Sequence, residues 1–264
     1  EHFKEHLQIE KNSLIWLHTG ITGLGILKGG LNLITNAFDE LLSDGALAIP
    51  TFTYSWCLNE TFDPLNTPCG KMGSYASQAW KDKRFVRNNN PNFSIAIIDN
   101  TKNKIIKKSI LKNETASSCF GKGSVFHNMY DLSKDIPSYI ILLGGAHDDV
   151  VFRTTFLHYV EEDIGVPYRY LKKFFNPKNK LEYVSQYVRF FSKNEYFNII
   201  GKHPSQKYRF PIKEKYKLLG TDLINENILT SKEYGYSKTR IVSMNKFCNW
   251  LKLKISNNKD YLLN

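Results

Sequence analysis

The chain has little cysteine and no long apolar run. Its four cysteines are scattered and no two of them form a C-x-x-C pair, so neither a zinc site nor a disulfide framework is indicated. No stretch of about 18 apolar residues is available to span a bilayer, and no charged-then-apolar leader is present. We therefore expect a cytoplasmic protein with no membrane span. Because the first residue is Glu1 rather than Met, whether the N-terminus is complete is left open.

Several catalytic and phosphate-binding motifs are also missing. The sequence has no G-x-S-x-G nucleophile elbow, which argues against a serine hydrolase. It has no G-x-x-x-x-G-K-[ST] loop, and the glycine-rich stretch over residues 20–30 departs from G-x-G-x-x-G at Lys28. This stretch is either a phosphate cradle at the start of a helix or a loop that needs glycines for its turns.

Acidic residues are outnumbered by basic ones. The 36 Lys and Arg residues exceed the 25 Asp and Glu residues, for a net charge of +11. This surplus implies an acidic partner, which could be nucleic acid, a membrane surface or a small ligand with several phosphates. Basic and aromatic residues are interleaved over residues 168–217, a pattern that can bind single-stranded nucleic acid. A non-catalytic nucleic-acid-binding protein is therefore the alternative to an enzyme. The aromatic residues lack a repeat and suit a packed appendage equally, so we expect no nucleic-acid partner.

The apolar pattern predicts one large α/β domain. The run Leu14–Leu17, the glycine-rich stretch, helical spacing over residues 31–42 and the run Ala46–Ile49 predict a β-α-β unit. Residues 51–92 are expected to form a long loop that walls a cleft, and the lysine-rich residues 99–117 a solvated hairpin. A hydrophobic content of 42% is enough for a sizeable core.

A second strand-loop-helix pattern leads into the strongest candidate chemistry. The apolar run Tyr139–Leu143 and two glycines precede the segment Arg153–Glu162, in which helical spacing begins. Thr154 and Thr155 can cap this helix, because a threonine hydroxyl accepts a hydrogen bond from a free backbone N–H in the first turn. The pattern therefore predicts a helix that begins at these threonines.

On that helix, His158, Glu161 and Glu162 fall at i, i+3 and i+4 and share one face. An imidazole beside a carboxylate is a general base, because histidine titrates near neutral pH and the acid orients its ring. Two other interpretations stay open at this point: a helix with a solvated acidic edge, and a metal site. The metal site would combine His158 with three loop residues, His147, Asp148 and Asp149.

Six segments follow one another in an order that matches a known family pattern. They are HTGI at 18–21, GILKGG at 25–30, GALAIPTF at 45–52, RNNNPNFS at 87–94, FGKGSVF at 120–126 and TTFLHYVE at 154–161. In this order they resemble the aminoglycoside 3-N-acetyltransferase family, whose motifs include V-H-S-S-L, G-x-V-x-G-G and T-T-x-x-H-x-x-E. Members of that family are acetyl-CoA-dependent enzymes with a fold distinct from that of the GNAT acetyltransferases.

The resemblance implies a fold and a reaction. The fold is a mixed-sheet α/β sandwich of the aminoglycoside 3-N-acetyltransferase type, not GNAT, with residues 1–264 as a single acetyltransferase domain. In it, residues 168–217 are a variable appendage that walls the acceptor site. The reaction is acetyl transfer from acetyl-CoA to an amine, with no metal. The acyl chain length and the oligomeric state are left open.

The resemblance also implies the site residues. His158 is the implied catalytic base, with Glu161 as its acid partner and Glu162 as the rival. The implied coenzyme A contacts are Thr19, Gly20, Ile21, Gly25, Gly29, Gly30, Arg87, Ser124, Thr154 and Thr155. Backbone amides near the glycine-rich stretch are the expected hydrogen-bond donors to the thioester carbonyl.

The acceptor is expected to be a small amino sugar. Antibiotic-modifying members of the family carry an acidic segment after the catalytic histidine that helps to bind polycationic aminoglycosides. In this chain Lys and Arg are prominent around the corresponding residues 183–189. A basic wall repels a polycation and attracts a phosphorylated ligand. We therefore expect an N-acetyltransferase that acts on a nucleotide-linked amino sugar of surface-polysaccharide biosynthesis, and the alternative is an aminoglycoside antibiotic 3-N-acetyltransferase.

Overall fold

A mixed β-sheet forms the centre of the molecule. The structure is a computed structural model that describes residues 7–70, 72–112, 118–145, 150–178 and 183–263. The strands of the sheet are β1 (Leu14–Gly20), β2 (Ala46–Pro50), β3 (Val86–Arg87), β4 (Ile95–Asp99), β5 (Ser138–Gly144), β8 (Thr230–Tyr234) and β9 (Ser237–Ser243), in the spatial order β3-β4-β2-β1-β5-β9-β8. Two further strands, β6 (Arg169–Phe175) and β7 (Tyr183–Arg189), pair as a separate antiparallel hairpin.

Helices connect and cover these strands. They are α1 (Asn32–Leu41), α2 (Ser74–Ala79), α3 (Ile105–Ile110), α4 (Val125–Leu132), α5 (Phe156–Ile164), α6 (Lys193–Ile200), α7 (Tyr216–Asn225) and α8 (Met244–Asn257). Within the part of the chain that the structure describes, no helix is both long and apolar enough to cross a membrane.

The central strand β1 is parallel to both of its neighbours. It pairs with β2 on one side and, over seven residues, with β5 on the other, while the remaining pairs in the sheet are antiparallel. The helix between β1 and β2 is α1, so the predicted β-α-β unit is present. The mixed pairing confirms the predicted mixed-sheet α/β class.

Alternate residues of β1 enter two separate hydrophobic cores. Ile15 and Leu17 pack on the face covered by α1 and α2, with Phe38 of α1 fully buried there. Leu14 and Trp16 pack on the opposite face, against α4, α5 and α8. Since successive side chains of a strand point to opposite faces, a continuous apolar run is the pattern of a strand that helices cover on both sides.

The carboxyl ends of β1 and β5 approach each other closely. A Cβ atom on Gly20 would lie 2.3 Å from the Cα of Gly145, and a Cβ on Gly144, whose φ is +69°, would lie 2.3 Å from the Gly20 carbonyl oxygen. Only glycine fits both positions. This contact brings the end of β1 beside the chain that leaves β5 toward α5, at the sheet edge where parallel α/β folds bind ligands.

Two local predictions were wrong. Residues 99–112 contain a short 3₁₀ turn and α3 rather than a hairpin, because Ile106 and Ile110 are buried one helical turn apart; residues 113–117 lie outside the described residues. The predicted loop over residues 51–92 also contains α2 and β3.

The described residues within 168–217 surround the hairpin of β6 and β7. Tyr168, Tyr187 and Phe190 are buried in the core on the α5 face of the sheet. The hairpin also makes main-chain hydrogen bonds outside itself, for example from the Cys119 N–H to the Ser185 carbonyl at 2.8 Å. Aromatic side chains thus pack this segment onto the sheet. This is the packed appendage that the sequence offered as the alternative to a nucleic-acid-binding surface.

Candidate active site

A cleft of about 610 Å³ opens beside the carboxyl end of β1. His18 and Thr19 of β1 line one side, and Thr154, Thr155 and His158 from the start of α5 line another. The loop after β2, which was predicted to wall a cleft, contributes side chains between Phe52 and Ala76, and the hairpin contributes Gln186, Val188 and Arg189. Residues far apart in the sequence therefore meet in one cavity of a size that suits a small-molecule ligand.

Helix α5 holds His158 at the cleft by burying its other face. Phe156, Leu157 and Val160 are fully buried, while about a fifth (21%) of the His158 side chain is exposed. The predicted threonine cap was wrong: Thr155 is the residue before the helix, with φ −65°, and its side chain accepts no capping hydrogen bond. Its carbonyl instead accepts from the His158 N–H at 3.0 Å, so backbone bonds alone begin the helix.

His158 and Glu161 form a direct pair. The Nδ1 of His158 lies 2.9 Å from Oε2 of Glu161, whose side chain is fully buried. A carboxylate only accepts hydrogen bonds, so Nδ1 carries the hydrogen and Nε2 has a free lone pair. The i, i+3 spacing on α5 produced this contact as predicted, and the arrangement is that of a general base oriented by an acid.

Glu162 is not the acid partner. It accepts a hydrogen bond from the Ser118 hydroxyl at 2.7 Å, and burial raises the pKa of its carboxyl. The ring of Phe120, in the turn that precedes α4, lies 5.7 Å from the His158 ring. Of the two rivals, Glu161 is therefore the one that contacts His158.

Arg169 connects Glu161 to a second buried carboxylate. Its Nε lies 2.8 Å from Oε2 of Glu161, and its Nη2 donates to Oε1 of Glu214. The side chains are 6%, 0% and 1% exposed for Arg169, Glu161 and Glu214. Burial opposes charge on Arg169 and Glu214, but the two glutamates outweigh it and raise the pKa of Arg169, while Arg169 holds the pKa of Glu214 below its usual range.

Two tyrosine hydroxyls complete the network. Tyr168 donates to Oε1 of Glu161 at 3.0 Å and Tyr216 donates to Oε2 of Glu214 at 3.1 Å. Burial, and then Glu161, raise the pKa of Tyr168 far above its ordinary value, so it stays a donor. The carboxylate that orients His158 is thus held by Tyr168 and Arg169 as well as by the imidazole.

Part of this network could also be considered as a metal site. His158, Glu161 and Glu214 offer ligand atoms that lie within 4.8 Å of one another. However, Arg169 contacts both carboxylates and already supplies the positive charge that a cation would bring. The loop residues of the predicted metal site, His147, Asp148 and Asp149, lie outside the described residues.

The predicted coenzyme contacts separate into two groups. Thr19, Thr154 and Thr155 line the cleft together with His158. The other predicted contacts do not line the cleft: Gly20 ends β1, and the turn and loop after it hold Ile21, Gly25, Gly29 and Gly30. Gly25, Gly29 and Gly30 have φ of +73°, +106° and +71°, a conformation that favours glycine, so the loop needs them for its turns.

Arg87 and Ser124 have structural contacts away from the cleft lining. The Arg87 guanidinium is buried and donates to the Thr51 carbonyl at 2.7 Å and to the hydroxyls of Thr53 and Ser94 at 2.5 and 3.1 Å. Burial lowers the pKa of Arg87 to about 10. Ser124 accepts from the N–H of the residue three positions on and caps α4. The structure therefore does not bring these two residues to the cleft.

The cleft also has charged residues that were not among the predicted site residues. Arg153 has its guanidinium 5.1 Å from the centroid of the Tyr216 ring, and Arg189 has its guanidinium 5.5 Å from that of Phe191. Arg153, Arg169, Arg189 and Glu214 are the charged lining residues among those the structure describes. Arg189 belongs to residues 183–189, which were expected to form a basic wall of the acceptor site, whereas charge counting along the chain does not single out Arg153, Arg169 or Glu214.

Comparison with known proteins now decides the family. The family model described as aminoglycoside 3-N-acetyltransferase matches residues 16–254, which is most of the chain. The chain belongs to this family. Membership confirms the predicted family and the prediction of an acetyl-CoA-dependent acyltransferase. No curated protein sequence matches the chain significantly.

Solved structures show the same fold at low sequence identity. A variant of aminoglycoside acetyltransferase AAC(3)-IVa in complex with apramycin has a TM-score of 0.71 and 16% identity, over 98% of this chain and 90% of its own. The binary complex of AAC-IIIb with CoASH has a TM-score of 0.71 and 12% identity, over 96% and 93%. The YokD protein from Bacillus subtilis has a TM-score of 0.70 and 16% identity, over 96% and 90%. These likenesses confirm the aminoglycoside 3-N-acetyltransferase fold.

Proposed function

We propose that this family member transfers the acetyl group of acetyl-CoA to an amino group of an amino sugar, with His158 as the general base. The observation that carries the proposal is the contact between His158 Nδ1 and Glu161 Oε2 at 2.9 Å in a cleft of about 610 Å³. His158 thereby presents the free lone pair of Nε2 on a side chain that lines the cleft. Coenzyme A fits as co-substrate because a solved relative of the same fold is a complex with CoASH.

His158 would act on the proton that the acceptor must lose. A protonated amine has no lone pair, so the acceptor first releases one proton to solvent. As the neutral amine nitrogen bonds to the thioester carbonyl carbon, Nε2 takes a second proton from it. Glu161 stabilises the imidazolium that results, and Tyr168 and Arg169 keep its carboxylate in place. His158 then returns the proton to the departing sulfur. The acetyl group passes directly from sulfur to nitrogen, so no covalent enzyme intermediate is needed.

The test compares the rate of acetyl transfer by His158→Ala with that of the wild type. The coenzyme A thiol that transfer releases is measured with a chromogenic disulfide. Transfer should fall by roughly 10²- to 10⁴-fold, the usual contribution of a general base. The variant should still bind acetyl-CoA, measured by calorimetry. His127→Ala is a matched control, because His127 pairs with Asp131 on α4 and does not line the cleft. Full activity of His158→Ala would remove this residue from the mechanism.

An aminoglycoside is the acceptor class that the comparisons support. The family is described by aminoglycoside 3-N-acetyltransferase, and solved relatives are complexes with a gentamicin, apramycin and sisomicin. An aminoglycoside presents several ammonium groups, so a site for it gains affinity from free carboxylates. In the described lining, however, the single carboxylate, Glu214, already contacts Arg169.

A phosphorylated acceptor is the second candidate, and the two cleft arginines favour it. Neither Arg153 nor Arg189 forms an ion pair with any described residue, and both have their guanidinium over an aromatic ring. A guanidinium free of carboxylates is suited to bidentate binding of phosphate. A nucleotide-linked amino sugar of surface-polysaccharide biosynthesis carries both the amine and the phosphates. Residues 168–217 would then wall the acceptor site, since Arg189 belongs to β7.

Steady-state kinetics with both acceptor classes separate these candidates. Arg153→Met and Arg189→Met should raise the KM for a nucleotide-linked amino sugar and leave or lower the KM for an aminoglycoside, because they remove positive charge from the wall. Arg84→Met, whose ion pairs with Asp39 and Asp82 lie outside the cleft, is the control. Turnover of aminoglycosides alone would exclude the phosphorylated acceptor. A change confined to the KM for acetyl-CoA would assign the arginines to the coenzyme phosphates.

A further inference from the structure

His18 is a second histidine in the cleft, and the proposed mechanism does not use it. The indole Nε1–H of Trp16 donates a hydrogen bond to Nε2 of His18 at 2.8 Å. An indole nitrogen is a donor only, so His18 Nε2 must be the unprotonated, accepting nitrogen of the ring. The hydroxyl of Thr154 lies 3.2 Å from the same nitrogen. These neighbours hold His18 in the tautomer that carries its hydrogen on Nδ1.

The surroundings of His18 also keep it neutral. A proton on Nε2 would face the Trp16 N–H, and Trp16 is fully buried with its ring packed edge-on against Phe126 and Phe156. Burial, and then the positive charge of Arg153, lower the pKa of His18 to about 4. His18 is therefore unsuited to be a base near neutral pH, and its Nδ1–H is a neutral hydrogen-bond donor.

The Nδ1 of His18 is accessible from the cleft. His18 lines the cleft and is partly exposed. Across the described ranges, Nδ1 has no hydrogen-bond partner, and it is absent from the buried polar atoms that lack one. Both cleft histidines thus carry their hydrogen on Nδ1, but they face the cleft with different atoms: His158 presents the lone pair of Nε2, and His18 presents its Nδ1–H. Thr154, whose hydroxyl contacts His18, stands four residues before His158 in the chain.

We propose that the Nδ1–H of His18 donates a hydrogen bond to the thioester carbonyl oxygen of acetyl-CoA during transfer. This rests on the proposed acetyl transfer. As the amine nitrogen bonds to the carbonyl carbon, the electron pair of the C=O bond moves onto oxygen, and His18 stabilises that charge. When the C=O bond re-forms, the C–S bond breaks and its electron pair leaves with sulfur. The amine proton reaches that sulfur through His158, so the products are the amide and coenzyme A thiol.

A donor fixed before the reaction is effective because it needs no reorganisation when charge develops on the oxygen. Trp16 is a positioning residue in this scheme, since it acts only through the tautomer of His18. The glycine-rich loop, first expected to supply backbone donors, has most of its glycines outside the cleft lining. The side chain of His18 takes over that role.

The activity test compares two substitutions at this position. The amide nitrogen of His18→Asn can replace the Nδ1 donor, whereas His18→Leu removes it. His18→Leu should lose roughly 10²- to 10³-fold in kcat, the effect of deleting one oxyanion donor, with little change in the KM for acetyl-CoA. His18→Asn should retain more kcat than His18→Leu, and His127→Leu, outside the cleft, should match the wild type. Unchanged kcat in His18→Leu, or a rise confined to the acceptor KM, would overturn the proposal.

A second measurement does not depend on activity. Nitrogen NMR of the histidine-labelled protein should show the Nδ1–H tautomer of His18 at pH 7, and Trp16→Phe should relax this preference. Observation of the Nε2–H tautomer in the wild type would contradict the inference. A wild-type protein that fails to bind or use acetyl-CoA would instead refute the proposed function, while the tautomer would still be readable. The two failures are therefore distinguishable.

Discussion

Removal of Arg169 should destabilise the protein far more than removal of an exposed arginine that makes similar ion pairs. In Arg169→Met, the methionine fills part of the volume but leaves Glu161 and Glu214 buried without their shared cation. Breaking a buried ion pair by deleting one partner costs about 3 to 5 kcal/mol, because an uncompensated charge stays out of water. The matched control is Arg84→Met: Arg84 also contacts two carboxylates, at 2.9 and 2.6 Å, but its side chain is 36% exposed. Such an exposed pair contributes about 0 to 1 kcal/mol.

Urea unfolding followed by tryptophan fluorescence measures both free energies of unfolding, since Trp16 and Trp56 are fully buried and report loss of the core. The loss in Arg169→Met should shrink as the pH falls from 8 to 5. In the wild type, Arg169 lowers the pKa of Glu214, so removal of Arg169 raises the pKa of Glu214 in the folded state. A folded protein that contains a carboxyl with a raised pKa becomes more stable as the pH falls, because protonation removes the buried charge. Adding Glu161→Gln and Glu214→Gln to Arg169→Met should recover most of the lost stability. A loss no greater than that of Arg84→Met, with no pH dependence, would refute the assignment of a buried charge network.

Two further predictions concern single positions. In α7, a Cβ on Gly220 would lie 1.5 Å from the Val150 carbonyl oxygen, so Gly220→Ala should lower the free energy of unfolding, although alanine in a helix interior normally stabilises by about 1 kcal/mol; a stabilised variant in urea unfolding would contradict this close packing. For His18, the folded pKa of about 4 lies below the ordinary 6.5, so its stabilising contribution is complete above pH 6.5 and is lost as the pH falls toward 4. With about 1.4 kcal/mol for each pKa unit, the wild type should lose roughly 3 kcal/mol more than His18→Asn between pH 7 and 4, and parallel pH profiles of the two proteins would show that His18 is not responsible.

Local pattern predicted those parts of the site whose residues are neighbours in the chain. His158 and Glu161 are three residues apart on one helix, so helical geometry alone brings the imidazole to the carboxylate. The same local logic failed for Thr154 and Thr155. Their hydroxyls were expected to cap α5, but the Thr154 hydroxyl lies 3.2 Å from His18 and Thr155 makes no capping bond. A threonine before a helix has several partners available, and its tertiary neighbours decide which it meets.

Motif order identified the family but not the task of each motif residue. Arg87 stands in a matched segment, and the structure shows its guanidinium donating to the loop after β2. Ser124 stands in another and caps α4. A family motif contains residues that contact ligands as well as residues that stabilise the fold, and the sequence alone does not distinguish the two kinds. Burial and hydrogen-bond partners do.

By itself, the sequence determined the β-α-β unit and the placement of His158 on one helix face with Glu161 and Glu162, because strand and helix periodicities and short spacings act within a few residues. The order of its motifs identified the family and the mixed α/β class, and the structure selected Glu161 as the acid partner. Only the tertiary structure decided which distant charges meet. Arg169 contacts Glu161 and Glu214, and among the described residues the cleft lining carries Arg153 and Arg189 rather than free carboxylates. It also set the tautomer of His18 through Trp16. Electrostatics and proton positions depend on through-space distance and burial, which arise only when the strands and helices pack together.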